Sequence, residues 1–325
     1  MKIGIGIIGL FILSANVFAK QNDNVTKYMQ TKKCLVDATD PYDPSYRIEF
    51  GNFKGKCLDA STVRPPVIRS VDNDAIEIAN FYHNGRYWIA RVPHLDGVSE
   101  VMYQGIPFKY IPFDIPVIKI AHGQLRFKLN RPVVLRAQSG DKTVRDSVSD
   151  IIISSTITKP KDEKYSIVGG SSFGIVTRVL STVARAVEEV ADDRDNVHQY
   201  LLDLSSEQMN RLLAISLEEA SVFGYSSRYD LLKNNCATKT MDAYDAAFPR
   251  AKNVKRFEGK LSQFRDVIEK PALEQFKLRG INYERVDDLN SQVVCAVPGE
   301  KLGKIIVDKS MIGAGVGLCK LKSEL

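Results

Sequence analysis

The stretch Arg228-Tyr229-Asp230-Leu231-Leu232-Lys233-Asn234-Asn235-Cys236-Ala237-Thr238-Lys239-Thr240-Met241-Asp242-Ala243-Tyr244-Asp245-Ala246-Ala247-Phe248-Pro249 sets a cysteine where a helix begins. Asn234 or Asn235 is a good N-cap, because its side-chain oxygen can accept from an amide of the first turn. Ala237, Met241, Tyr244 and Phe248 recur at helical spacing, and Pro249 ends the run. Cys236 therefore falls in the first helical turn. Open amides and the positive end of the helix dipole favour a thiolate there, and the same amides can help hold an oxyanion. The alternative is a buried cysteine acting as a small hydrophobe.

The other cysteines sharpen the case. The chain opens Met1-Lys2, then runs nearly without polar residues from Ile3 to Val17, and reaches Val17-Phe18-Ala19 before Lys20. That is the pattern of a cleaved secretory signal over residues 1–19, the apolar run being short for a membrane span. Export to the periplasm or cell envelope permits disulfides. Of five cysteines, Cys34 and Cys57 flank one local segment and Cys295 and Cys319 another. Each pair would close a loop of about 23 to 25 residues, worth a few kcal/mol on the chain-entropy model. Other connectivities stay open, but this economical pairing leaves Cys236 over.

Further out, residues 20–74 are polar and rich in turn signals such as Asp40-Pro41-Tyr42-Asp43-Pro44-Ser45. Strands are expected at Ile76–Ala79, Tyr87–Val92, Pro116–Ile120, Leu125–Leu129, from Val133 to Leu135, and at Asp150–Thr156. A helical half follows. Phe173–Val190 places Val176, Val179, Leu180, Val183, Val187 and Val190 on one helical face, expected to pack on the core rather than lie on a membrane. Ser205 and Gln208 form a capping box ahead of Met209, Leu212, Leu213, Leu217 and Ala220, with Gly224 as the stop. Glu258–Glu269 reads as a helix ending before Pro271, and the last fifty residues return to short strands. The class is α+β with an antiparallel sheet and packed helices. A catalytic unit is expected over residues 75–255, and a C-terminal helix with disulfide-linked strands over 256–325.

The formal net charge is +6, falling by one with the leader, and apolar residues make up 44% of the chain. The composition allows a proper core. The mild basicity suits anionic envelope surfaces and is too diffuse for nucleic acid. No metal-ligand spacing appears, and no cofactor is expected. Gly313, Gly315 and Gly317 lack the strand-to-helix setting of a nucleotide loop.

A cysteine nucleophile needs a base, usually histidine. All four histidines, His83, His94, His122 and His198, precede Cys236, so the order is histidine first. His83 reads as part of a turn, His94 as part of a loop, and His198 as just ahead of a strand. His122, in Ala121-His122-Gly123-Gln124-Leu125-Arg126-Phe127, reads as a strand residue able to face a helix-borne cysteine. Gln138 is the candidate for the third, imidazole-orienting group. Asn235 could cap the helix and also donate to the oxyanion.

Tyr229 to Thr238, with its Asn-Cys-Ala-Thr core, resembles the signature of the Lnb N-terminal periplasmic domain family, long catalogued as a domain of unknown function. The helix from Leu204, the His122 strand and Asp192-Asp193-Arg194-Asp195 are similar to elements of the same family, over about residues 115–250. The resemblance implies a papain-like fold of the circularly permuted NlpC type. It also implies an activity: acyl transfer from a phospholipid to the amino terminus of a lipoprotein through a Cys236 thioester. An NlpC-type peptidase or amidase acting on peptidoglycan is the second expectation, and a non-catalytic envelope-binding protein the third.

Overall fold

The computed structural model describes residues 40, 42, 63–107, 121–158, 174–191, 197–223, 227–230, 233–248, 250, 252–258, 269–295 and 319–324. The expected leader, the Cys34–Cys57 pair, the strand at Pro116–Ile120, the Asp192–Asp195 element, Gly224, Pro249 and the Gly313–Gly317 run lie outside them.

The order begins with β1 (Val67–Val71), β2 (Ala75–His83), β3 (Arg86–Pro93), β4 (Val98–Pro107), β5 (Ala121–Ala137), β6 (Arg145–Thr158) and β7 (Gly174–Ser181). Then come helix α1 (Thr182–Ala191), β8 (His198–Leu202), α2 (Ser206–Phe223), β9 (Ser227–Arg228), α3 (Cys236–Ala247) and α4 (Glu269–Leu278). The short strands β10 (Tyr283–Val286), β11 (Val293–Cys295) and β12 (Cys319–Leu321) complete the chain. The fold is a mixed sheet with four described helices.

The sheet closes on itself. β2 pairs β3, β3 pairs the end of β5, β5 pairs β6, β6 pairs β7, and β7 returns to β2 through a parallel pairing of Phe81 with Val179. All the other pairings are antiparallel. The tight β2–β3 hairpin follows from Asn84-Gly85, both at positive φ (47° and 76°), as such a two-residue turn requires. β5 serves two partners because it bends. Its register shifts between Lys128 and Val133, around Pro132, which has no amide to give a ladder. The leading half of β5 pairs β4, and the sheet then continues outward through β8 to β10.

The two faces of this outward sheet bury different things. On one, Leu125, Phe127, Ile151 and Ile153 share a core with Leu212, Leu213 and Leu217 of α2, Ala237, Met241 and Tyr244 of α3, and Phe276 of α4. On the other, α1 packs Val183 and Ala186 against Ile152 and Leu180, with β11 and β12 alongside.

Several expectations are corrected. Phe173–Val190 is not one helix: its first half is β7, and only Thr182 onward is helical. Ile175-Val176-Thr177 is β-branched and suits a strand, and pairing on both edges decides for it. Ser181 marks the switch, its hydroxyl accepting from the Ala184 amide at 3.1 Å. The helix expected over Glu258–Glu269 lies mostly outside the described residues, at 259–268; Pro271, expected beyond its end, sits in the first turn of α4, where a missing amide costs no hydrogen bond. Glu258 is not helical. Val133–Leu135 continues β5 rather than forming a new strand, and His83 ends β2. β1 and β10, from either side of the expected 75–255 unit, join its sheet.

The expected box at Ser205 is present: the Ser205 amide donates to Gln208 Oε1 at 2.8 Å, and the Gln208 amide donates to Ser205 Oγ at 3.3 Å. The β11–β12 ladder sets Cys295 opposite Cys319, the register that the expected bridge requires, and Cys319 is disulfide-bonded.

Candidate active site

Cys236 is the first residue of α3. It is partly exposed and lies outside any disulfide. A backbone bridge between Asp230 and Asn234 stands just ahead of it. The amides of Asp230 and Asn234 donate to each other's carbonyls at 2.9 and 3.1 Å, and the Lys233 amide donates to Asp230 Oδ1 at 2.7 Å. Asn235, not Asn234, is the cap. Its side-chain oxygen accepts from the Thr238 amide at 3.0 Å, while its own amide donates to Thr238 Oγ1 at 2.8 Å. Both residues are buried, so this reciprocal pair sets the direction of the helix start.

α3 is seated on β5 at one place. Thr240 Oγ1 lies 3.3 Å from the Gly123 carbonyl and 3.0 Å from that of Cys236. A Cβ built on Gly123 would stand 3.2 Å from Ala237 Cα and 2.7 Å from the Tyr103 hydroxyl. Only glycine leaves room for so close an approach. The residue after His122 thus touches the residue after Cys236.

His122 is 6% exposed and shares a β5 face with Gln124, by strand alternation. That is the face opposite the Ala237 contact. Its Nε2 lies 2.8 Å from Ser154 Oγ. Ser154 belongs to a row of polar residues in register across five strands: Gln199 on β8, Gln104 on β4, Gln124 on β5, Ser154 on β6 and Arg178 on β7. All five are buried. Gln124 donates to Gln104 at 2.6 Å, and Gln104 donates to Gln199 at 2.7 Å. Arg185 of α1 donates to Gln124 Oε1 at 3.0 Å. Arg126, next on the same face, donates to the Asp150 carboxylate and to Gln199 at 2.6 Å, and Thr182 also donates to Asp150.

α1 supplies charge to this face. Arg178 and Arg185 both bond Glu188. Burial pushes that carboxyl up, but the two guanidiniums outweigh it and hold it below its ordinary value of 4.5.

Gln138 is not at this site. It lies just past the far end of β5, where its Oε1 accepts from the Asn80 amide at 2.6 Å and its amide donates to Asn80 Oδ1 and Asp40. There it supports the bulge that Asn80 forms at φ 63°. The described group beside the imidazole is Ser154, which sequence reasoning missed. The visible signal was polar residues at every second position, His122, Gln124 and Arg126, inside an otherwise apolar strand. The other histidines sit elsewhere. His83 Nδ1 is 2.7 Å from Ser181 Oγ and its Nε2 is 3.3 Å from Asp146. His94 lies 3.0 Å from the Asp72 carbonyl, and His198 begins β8.

A groove of about 320 Å³ runs beside α3. Lys239, Thr240 and Ala243 line it, three, four and seven residues after Cys236 and so on the same helical face. No cluster of histidine, cysteine or carboxylate side chains suited to a metal occurs among the described residues.

Residues 113–270 match the model of the Lnb N-terminal periplasmic domain. No curated protein and no solved structure matches the chain. No described helix is long and apolar enough to cross a membrane. Residues 113–270, which span both His122 and Cys236, are thereby a domain of the Lnb N-terminal periplasmic family, and the protein is one of the cell envelope.

Proposed function

We propose that this protein is a cysteine-dependent acyltransferase that moves a phospholipid acyl group to the amino terminus of a lipoprotein. One observation carries the reading: a cysteine outside any disulfide, at the first position of a capped helix, is seated on the strand residue next to a buried histidine. A helix-borne cysteine against a strand-borne histidine is also the arrangement of papain-like enzymes.

His122 takes the Cys236 proton, and the thiolate attacks the ester carbonyl. In this reading the thiol comes to the leading end of β5 from the side of α3, through the Gly123–Ala237 contact, and the imidazole from the polar side. Amides of the first turn of α3 hold the oxyanion. The alcohol leaves with the proton from the imidazolium, and the acyl group rests on sulfur as a thioester. The acceptor amine attacks, loses a proton to His122, and departs as an amide, while the thiol takes that proton back. Ser154 orients the imidazole.

In cells without another N-acyltransferase, mass spectrometry of lipoprotein amino termini is expected to show N-acylation with the wild-type protein and none with Cys236→Ala. Unchanged N-acylation in the variant would remove the assignment. A second reading, cleavage of a peptidoglycan peptide by the same pair, is favoured by the hydroxyl and charged side chains that line the groove. Release of free peptide from purified cell wall, without N-acylation, would select it.

A further inference from the structure

The groove beside α3 holds an unexplained polar group. Ser216 of α2 is 1% exposed and lines it, and its hydroxyl has no hydrogen-bond partner among the described residues. A buried hydroxyl left unpaired is costly and calls for an occupant. Ser155 and Thr177, register partners on β6 and β7 whose hydroxyls lie 2.8 Å apart, line the same groove. Its floor is apolar, made of Leu125, Ile153, Ala220 and Ala243. Its rim carries both signs of charge, including Asp242 held by Arg256 at 2.7 Å.

An acyl chain needs a continuous apolar lining, which the four hydroxyls and the charged rim interrupt here. An extended peptide presents amides that hydroxyls can bond, with small side chains for the floor. From Cys236 to Ala243 the helix rises about 10 Å, which about three residues of extended chain span. We infer that this groove binds the peptide part of the substrate, about three residues long, with the reacting end toward Cys236. The direction rests on the catalytic reading above, while the binding itself does not.

The probe is a fluorescein-labelled pentapeptide of alanine and serine with S-methylcysteine at a free amino terminus, titrated by anisotropy into the full chain carrying Cys236→Ala. Saturable binding is expected. Adding Ser216→Ala should weaken it about five-fold, the loss of one hydrogen bond. Adding Ala243→Phe should abolish it, with the circular dichroism spectrum and melting temperature retained. Ser216→Ala alone should not lower the melting temperature, since no described residue bonds that hydroxyl. Absence of binding, equal binding by all variants, or displacement of the peptide by laurate in proportion to chain occupancy would overturn the inference. If the peptide binds as expected but wild-type protein transfers no acyl group, the catalytic reading fails and the groove stands. If transfer occurs and Ala243→Phe leaves it unchanged, the groove fails and the catalytic reading stands.

Discussion

The two faces of β5 carry the two proposed reacting groups by different means. On one face Leu125 and Phe127 pack under α2 and α3, and the cysteine helix is located by apolar contact and by the missing side chain of Gly123. On the other, His122, Gln124 and Arg126 enter a buried network of hydrogen bonds and ion pairs beneath α1. Packing fixes where a helix sits but leaves a polar ring free to turn; hydrogen bonds fix which way it turns. One strand thus separates placement of the thiol from orientation of the imidazole.

The largest effects should come from breaking either face. Phe127→Ala, at a fully buried site, should cost about 3–5 kcal/mol of unfolding free energy in urea. Arg126→Ala should cost about as much, because it strands the Asp150 carboxylate. The faces differ in rescue: Arg126→Leu with Asp150→Leu should recover most of the loss, whereas no second change at a packed apolar site restores the volume so simply. A double variant as unstable as Arg126→Ala would show that the polar face contributes stability rather than orientation.

Gly123→Ala comes next. Its Cβ would meet the Ala237 backbone and the buried Tyr103 hydroxyl, for about 1–3 kcal/mol by chemical denaturation. Activity should fall further than stability, since the displaced element is the start of α3. Equal losses would mean that the close approach serves the core alone.

The smallest effect concerns pH. The Glu188 carboxyl is held below its ordinary value of 4.5, so its contribution is present above that value and is lost as pH falls through the lower folded one. Wild type should exceed Glu188→Gln in melting temperature near neutrality, and the gap should close below about pH 4. A gap that widens on acidification would contradict the sign.

Much of the helix side was legible before the structure. The Ser205–Gln208 box and the Asn235 cap are local chemistry, readable from a few adjacent residues. The Cys236 position followed from them. The polar side was not legible, because its logic is cross-strand. Gln104, Gln124, Ser154 and Gln199 mean little one at a time and form a row only once register is known. β7 misled for a related reason. Valines at positions 176, 179 and 183 satisfy a helical period, and only the flanking strands β6 and β2 make the segment extended. Gln138 reads from sequence as part of the strand after that of His122, but one bent strand of 17 residues, β5, covers the whole stretch, and Gln138 lies beyond its other end.

Everything in this mechanism passes through a Cys236 that carries the acyl group. Intact-protein mass spectrometry after incubation with phosphatidylglycerol, without an amine acceptor, tests it most directly. The expected outcome is a gain of one acyl chain on Cys236, removed by hydroxylamine, absent in Cys236→Ala and formed at least a hundred-fold more slowly in His122→Ala, about the smallest loss expected for a general base. No adduct on the wild-type protein, or an adduct that survives Cys236→Ala, would contradict it.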